Sequence, residues 1–419
     1  MAPLIQEPVT IDRIAPADRV YLSHPSILAL PGGRILASVD AQGPDVRALP
    51  GQKCRFADTN HWMQGRLFAS QDEGKTWTQK LEYPFGHACL FRDGNQLYLL
   101  GHRGPLVIIR SSDGGETWSK PVELIPKGGD NAVYSHSPCS VLHANGRFEV
   151  VMLRTTGDYQ RRVTPHTLVP ILLRAPEGFN LTVSKSWTWS EPGPTLSQAL
   201  SGTSPTPELP LFEKPAPTPT TPDAANHAPG WMHPHAVAIT NPRHAWHDAS
   251  GHTTHVLFAA PSPRGNAAIA CRFTEQAGGT LRADLPPTSA TGRPLWIPLP
   301  GGNRPFHLLA DGESQQHWLV STQHRGSLLR TDTAPGQRAI TWSAHPHLLE
   351  LNFSSNLVDW TSAGWVGGTP SDPLTEPAID IRGKDLCVVA CARDADDPAT
   401  RHAKRLVFGI IRNFRSLMY

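Results

Sequence analysis

The sequence has few residues that could cross-link the chain or hold it in a membrane. Its six cysteines form no C-x-x-C pair and mostly lie in strand-like runs, a pattern typical of small buried side chains rather than of a disulfide framework. No apolar run approaches the roughly 18 residues of a membrane span. Residues 1–16 also lack the basic start and apolar core of a secretory signal. We therefore expect a chain that is either intracellular or presented without its leader.

An excess of charge of one sign is also absent. The chain has 38 basic and 36 acidic residues, a net charge of +2 and no run of like charge. Nucleic acids and anionic membranes require concentrated basic surface, so neither is predicted as a partner. Long stretches with a helical apolar period are absent too, whereas short strand-like runs between Gly, Asn, Asp and Pro recur. The fold is therefore predicted to be all-β.

Two near-copies of one hairpin signature indicate the architecture. Residues 70–77 (SQDEGKTW) and 111–118 (SSDGGETW) lie about 41 positions apart, each after an apolar run. In this motif, the Asp-box, the Asp and Ser side chains bind the backbone of the turn, Gly supplies a positive φ and Trp anchors the hairpin. We expect Asp72 and Asp113 to be structural. A repeated antiparallel unit of this period predicts the blades of a β-propeller.

Strand pairs that open a blade are readable six times. We predict one β-propeller domain over residues 1–419, with four-stranded antiparallel blades and seven blades favoured over six. Residues 4–14 are expected to pair with 406–411 and so close the ring. The Pro/Thr-rich stretch at about 204–230 is expected to be a surface insertion, and the protein a monomer. The six pairs are 26–30 with 34–38, 88–91 with 96–100, 139–142 with 148–153, 235–240 with 255–259, 306–310 with 318–321, and 378–381 with 386–390.

Histidine and tryptophan are abundant, with 20 and 12 residues. These side chains suit sites that stack on sugars and bind them by hydrogen bonds. Several polar and aromatic residues stand at the ends of predicted strands near blade starts, where inner strands line the central funnel. The candidates are His24, Asn60, His61, His87, His102, Arg103, Tyr134, His136, Arg154, His233 and His235, with His307 and Arg325 ranked lower.

Asp-box propellers include the sialidases, which bind the sugar carboxylate with three arginines. A sialidase also needs a Tyr–Glu nucleophile pair and an acidic proton donor. Its first arginine belongs to an Arg-Ile-Pro motif before the first blade. Ser23 stands at the matching place here, although residues 13–16 (RIAP) nearby keep this resemblance open.

Other segments resemble the β-propeller polysaccharide lyases, a group that contains the ulvan lyases and the rhamnose–glucuronate lyases acting on gum arabic. The resemblance spans residues 21–415 in pieces. It departs from the group where Val150 stands in place of an arginine that follows the Asn-Gly turn, with Arg154 one strand-turn later. The segments that carry it are 86–91 (GHACLF), 97–101 (LYLLG), 107–111 (VIIRS), 134–138 (YSHSP), 143–147 (HANGR), 300–303 (PGGN) and 412–415 (RNFR).

The chemistry of such a lyase can be derived from its substrate. Cleavage at O4 of a glucuronate by β-elimination removes the C5 proton, which is acidic only when the adjacent carboxylate is neutralised, and protonates the departing oxygen. A neutral His or a Tyr can serve as base, and Arg or a protonated His can stabilise the enediolate. We expect His87 as base or acid, Tyr134 as proton donor or base, His136 as a sugar or carboxylate contact, and Arg154 as the neutralising cation.

Substrate binding is expected of His24, Asn60, His61, His102, Arg103, His233 and His235. The His-x-His pair at 233 and 235 lacks a third ligand at metal-site spacing, so no metal or other cofactor is predicted, although a structural cation is left open.

The predicted activity releases terminal L-rhamnose from rhamnosyl-α-1,4-glucuronate side chains and leaves an unsaturated uronate. The partner is then a uronic-acid polysaccharide or oligosaccharide, and the location extracellular.

Two alternatives belong to different classes. A sialidase-like exo-glycoside hydrolase would need two carboxylates that flank the cleaved bond, and none stands out at the blade starts. A non-catalytic propeller would bind carbohydrate and leave it unchanged.

Overall fold

A computed structural model describes residues 2–15, 18–55, 61–125, 133–135, 141–155, 167–199, 230–259, 266–284, 296–323, 348–369, 371–393 and 402–418. These residues form six antiparallel sheets, which follow one another along the chain. None of the helices in the described part is long and apolar enough to cross a membrane. The all-β prediction is therefore confirmed.

The sheets are the blades of a propeller, each built from consecutive strands apart from one N-terminal strand. Blade 1 comprises β2 (Tyr21–Ala29), β3 (Ile35–Gly43), β4 (Cys54–Arg55), β5 (Trp62–Ser70) and β6 (Thr78–Tyr83). Blade 2 comprises β7 (Gly86–Asp93), β8 (Gln96–His102), β9 (Leu106–Ser111) and β10 (Val122–Leu124). Blade 3 comprises β11 (Tyr134–Ser135), β12 (Leu142–Ala144), β13 (Arg147–Thr155), β14 (Leu168–Pro176) and β15 (Thr188–Trp189).

The second half of the chain repeats this order. Blade 4 comprises β16 (Met232–Val237), β17 (Thr253–Ala259), β18 (Ala267–Glu275), β19 (Leu281–Asp284) and β20 (Trp296–Pro298). Blade 5 comprises β21 (Phe306–Asp311), β22 (Gln316–Gln323), β23 (Leu348–Ser354) and β24 (Thr361–Gly367). Blade 6 comprises β25 (Leu374–Arg382), β26 (Asp385–Ala392), β27 (Arg405–Ile411) and β1 (Val9–Arg13). Short helical turns lie at Pro31–Gly33, Pro44–Ala48, Ser184–Ser186, Leu196–Ala199 and Phe414–Leu417.

The predicted ring closure is confirmed. Strand β1 pairs with β27, with Val9 opposite Phe408 and Arg13 opposite Arg405. Six blades are found among the described residues, and the favoured seventh is not confirmed. Residues 200–229 and 324–347 lie outside the described residues. The same holds for nearly all of the predicted insertion at 204–230.

Six apolar clusters hold the blades together, one at each junction between neighbours. Strand β3 illustrates how alternation builds them, since successive side chains of a strand point to opposite faces. Ile35, Val39 and Ala41 belong to the cluster against blade 6, whereas Leu36 belongs to the cluster against blade 2. Asp40 lies four positions after Leu36, on the same face of β3. Its carboxylate is therefore placed between blades 1 and 2.

Both Asp-box turns form as predicted. Ser70 Oγ accepts the N–H of Gly74 at 2.8 Å, and Asp72 accepts the N–H of Thr76 at 2.9 Å. Asp113 holds the N–H of Thr117 in the second copy at 3.0 Å. A third, altered copy follows β23, where the Asn356 side chain accepts the N–H of Asp359 at 2.8 Å. Each turn joins the third and fourth main strands of its blade.

Candidate functional site

A bulge recurs in the first strand of blades 1, 2, 4 and 6. Each bulge holds a residue with positive φ: His24 at 51°, His87 at 51°, His233 at 47° and Glu376 at 51°. The first strands of the blades lie next to one another around the propeller axis, as the contacts among β2, β7, β16, β21 and β25 show. They run in the same direction, so the four bulge residues lie at one end of the propeller. A non-glycine residue in this region costs on the order of 1–3 kcal/mol, and such strain concentrates at functional sites.

Three of these residues, together with Asp40 of β3, form an imidazole–carboxylate cluster, defined as His24, Asp40, His87 and Glu376. The His24 and His87 rings stack with centroids 3.7 Å apart. Asp40 Oδ2 accepts the His87 N–H at 2.6 Å and lies 3.6 Å from His24 Nδ1. Glu376 Oε2 accepts the His24 N–H at 2.6 Å. Asp40 and Glu376 thus accept the backbone N–H groups of His87 and His24, and Asp40 also faces the His24 ring.

The carboxylates determine the charge of His24. Burial by itself lowers the pKa of His24, but the adjacent Asp40 carboxylate, 3.6 Å from its Nδ1, and the charge of Glu376 outweigh it, so the pKa of His24 is raised. The Asp40 side chain is fully buried, and this burial raises its own pKa. Because His24 and Asp40 are stabilised together as an ion pair, the cation belongs on His24.

A polar edge extends from His24 toward solvent. The Gln42 amide nitrogen lies 3.0 Å from His24 Nδ1, and its oxygen lies 2.9 Å from His61 Nε2 and accepts the Tyr21 hydroxyl at 3.4 Å. Burial, then the charges of Glu376 and Asp40, raise the pKa of Tyr21 to about 12. Burial and the charge of His24 lower the pKa of His61. Tyr21 is therefore a protonated phenol and His61 a neutral imidazole at neutral pH.

Blades 4 and 5 contribute a neutral-histidine cluster, defined as His233, His235 and His307. His235 Nε2 lies 2.7 Å from the Phe306 carbonyl oxygen, and the His235 and His307 rings are 5.3 Å apart. Burial lowers the pKa of His233 to about 3, with help from the charges of His24 and His235, and lowers the pKa of His235 to about 4. The pKa of His307 is well below its usual value for the same reason. These imidazoles are uncharged at neutral pH.

The other predicted residues lie in different surroundings. His102 is fully buried with its ring 4.7 Å from the His87 ring. Arg103 forms a partly exposed ion pair with Glu123 at 2.7 Å. Tyr134 is 2% exposed and packs in the apolar cluster between blades 2 and 3, opposite Arg154 in the strand ladder. We therefore leave Tyr134 out of the reacting centre. Asn60, His136 and Arg325 lie outside the described residues.

Sequence reasoning missed Tyr21, Asp40, Gln42 and Glu376. Two signals were available. Strand β3 carries Asp40 and Gln42 at alternate positions of an otherwise apolar run. An X-Pro step also precedes the continuous part of four first strands, at His24-Pro25, His233-Pro234, Arg304-Pro305 and Glu376-Pro377.

The set of His24, Asp40 and His87 also offers three potential metal ligands, whose atoms lie within 4.8 Å of one another. A tetrahedral metal with bonds of roughly 2.0–2.1 Å requires its ligands about 3.4 Å apart. Asp40 Oδ2 already accepts the His87 N–H, and the two rings are stacked rather than convergent. The arrangement suits proton sharing better than metal binding.

Comparison with known proteins bears on the fold. No protein-family model and no curated protein matches the chain. A Trypanosoma rangeli sialidase in complex with sialic acid aligns with a TM-score of 0.56 at 12% identity over 100% of this chain and 61% of its own. A Dyadobacter fermentans protein of unknown function aligns at 0.55 and 14% identity, over 97% and 98%. A Penicillium chrysogenum α-L-arabinanase aligns at 0.50 and 14%, also over 97% and 98%. At identities this low, these alignments show a shared fold and no more.

Proposed function

We propose that this protein is a carbohydrate-active enzyme that cleaves a 4-linked uronic acid by β-elimination. The observation that carries the proposal is the stacked pair of His24 and His87, partly exposed and backed by the fully buried Asp40 carboxylate. Elimination needs a base and a cation close together. Two stacked imidazoles, one of which lies 3.6 Å from a buried carboxylate, can supply both.

The roles follow from the charge of each group. Two cations at the separation of these rings would repel each other, so one ring carries the charge and the other is neutral. In our proposal neutral His87 takes the C5 proton, the C4–O4 bond breaks as the C4=C5 double bond forms, and the Tyr21 phenol protonates the departing oxygen. A proton from His87 returns to the Tyr21 phenolate through solvent after product leaves.

A glycoside hydrolase is the second candidate. The partly exposed Glu376 favours it, as do fold neighbours named as a sialidase and an arabinanase. Hydrolysis by a carboxylate pair requires both groups beside the cleaved bond, about 5–5.5 Å or 6.5–9.5 Å apart. Asp40 is fully buried behind the imidazoles, so its position does not suit a nucleophile or a proton donor. This difference is why elimination is preferred.

The reaction class can be tested by product analysis. The protein is incubated with oligosaccharides that end in rhamnosyl-α-1,4-glucuronate, the preferred substrate, and separately with ulvan. We expect rhamnose release with a matching rise in the ultraviolet absorbance of a conjugated unsaturated uronate. The exposed-residue variant His252→Gln serves as the matched control and should behave as the wild type.

Two results would overturn the proposal. Sugar release without absorbance would favour the hydrolase, and retention of the oligosaccharide without turnover would favour a binding module. A polymer substrate of this kind would also place the protein outside the cell.

A further inference from the structure

Elimination requires a cation that masks the uronate carboxylate, and the sequence offered only Arg154 for this role. The imidazole–carboxylate cluster offers another group. The His24 ring turns Nδ1 toward Asp40, and Glu376 accepts its backbone N–H. The Gln42 amide nitrogen, 3.0 Å from the same Nδ1, can donate to it only when the ring is neutral, so protonation of His24 requires the Gln42 amide to turn its oxygen toward His24 and its nitrogen toward the neutral His61 ring. The Nε2 of His24 makes no hydrogen bond within the described part of the chain, and the side chain is 16% exposed. One ring nitrogen is thus anchored and the other is available.

We propose that His24 is the cationic residue that binds and neutralises the substrate's uronate carboxylate, and that Asp40 and Glu376 are positioning residues that keep it protonated and correctly placed. This inference rests on the proposed function. It assigns to an imidazolium of blade 1 the task usually expected of an arginine.

The burial of Asp40 is the first argument. Its side chain is 0% exposed, and its Oδ1 makes no hydrogen bond to the described residues. A buried carboxylate without a cation is strongly unfavourable. His24 is the only ion-pair partner of Asp40 among the described residues. A protonated His24 therefore stabilises the Asp40 carboxylate, which also accepts the backbone N–H of His87 in the bulge of blade 2.

The surroundings of His24 are the second argument. Two carboxylates face it, Asp40 and Glu376. The other titratable groups beside it are the stacked His87, neutral His61 and neutral His233, with the phenol of Tyr21 across Gln42. Because no cation competes within this set, the negative groups decide the charge of the ring, in agreement with the raised pKa of His24.

The arrangement has a consequence for pH dependence. An arginine stays charged at every working pH, whereas an imidazolium is lost as the pH rises through its pKa. We therefore expect kcat/KM to fall on the alkaline side with the titration of His24. Removing the Asp40 charge should move that fall to lower pH.

The test compares Asp40→Asn with the turn variant Asp113→Asn, and follows two independent readouts. The first is the NMR titration of the His24 ring in the free protein, with glucuronate as a carboxylate probe that should shift its signal. The second is the pH profile of kcat/KM. We expect Asp40→Asn to lower the titration midpoint of His24 and the alkaline limb together, and to reduce kcat/KM roughly 10- to 100-fold, the size of a lost charged hydrogen bond. Asp113→Asn should change neither.

Each outcome decides one question. If His24 titrates below a free histidine in the wild type, or the alkaline limb stays in place when its titration moves, the inference fails. If glucuronate binds at His24 in a pH-dependent manner but no uronate is cleaved, the proposed function fails and the carboxylate site stands. If Asp40→Asn does not fold, Glu376→Gln carries the same prediction.

Discussion

Two clusters of histidine face the same end of the propeller and differ in charge. His24 is surrounded by Asp40 and Glu376, and its pKa is raised. His233 occupies the equivalent bulge of blade 4, and burial lowers its pKa to about 3. The backbone geometry is the same within a few degrees. What differs is the set of neighbours, so the protonation state of each imidazole follows from residues on adjacent blades rather than from its own strand.

The two clusters also have different roles in the proposed reaction. The charged side can supply a cation and a base, whereas uncharged imidazoles suit hydrogen bonding to sugar hydroxyls without attracting counter-ions. A site with one charged half and one neutral half matches a substrate that carries one carboxylate per disaccharide.

The largest expected effect separates the two halves directly. His87→Gln should lower kcat/KM by about 10²–10⁴-fold, because it removes the proposed base from the charged half. His235→Gln, in the neutral half, should cost less than about tenfold, since it removes a contact only. Initial rates on the uronate substrate check this. Equal losses in both variants would contradict the division of roles.

A second prediction concerns the free energy of unfolding, whose pH dependence has opposite signs for the two clusters. His233 and His235 have folded pKa values of about 3 and 4, below the unfolded value of about 6.5, so the unfolded chain binds more protons as the pH falls below that value. Their stabilisation is complete above about pH 6.5 and is lost toward pH 4, at up to about 1.4 kcal/mol per pH unit and group. His24 has the opposite sign, because its raised pKa favours the folded state at low pH.

Urea unfolding between pH 7 and 5 measures this loss. The midpoint should fall with pH, and the fall should be smaller in His235→Gln than in the exposed control His252→Gln. Equal falls in His235→Gln and His252→Gln would contradict the prediction, because they would mean that the pKa of His235 is the same in the folded and unfolded chain.

The smallest effect is expected at the opposite end of the propeller. The Asp-box turns follow the third main strand of a blade, so they lie away from the bulges. Asp113→Ala removes the acceptor of the Thr117 N–H and should lower the melting temperature while leaving kcat/KM within about twofold of the wild type. Ser112→Ala, in the same turn and exposed, is the matched control. A large activity loss in Asp113→Ala would show that the two ends are coupled.

The fold could be read from the sequence because its signals are local. Alternating apolar residues and turn motifs identified the strand pairs, apart from the start of 139–142, which lies outside the described residues. The apolar runs at both termini predicted the closure that β1 and β27 form. Blade starts were identified well enough to select His24, His87, His233 and His235. The count of seven was not confirmed, because chain length alone does not distinguish a blade from a long connection.

The site could be predicted only in part because its decisive contacts are not local. Glu376 binds the backbone of His24 across 352 positions of sequence, and no pattern within either strand reports this partner. Tyr134 shows the complementary problem. Side chains alternate along a strand, and a blade start alone does not say which residue faces the axis and which enters the core.

The pairing of β1 with β27 has a consequence for biosynthesis. The N-terminal strand is made first, but its partner emerges nearly 400 residues later, which at 5–20 residues per second is a delay of roughly 20–80 s. Until then β1 has no partner, and without β1 the strand β27 would be the open edge of blade 6 and could pair with other chains. Removal of residues 2–14 would leave β27 without its partner in the finished protein, so we expect such a truncated chain to self-associate on translation.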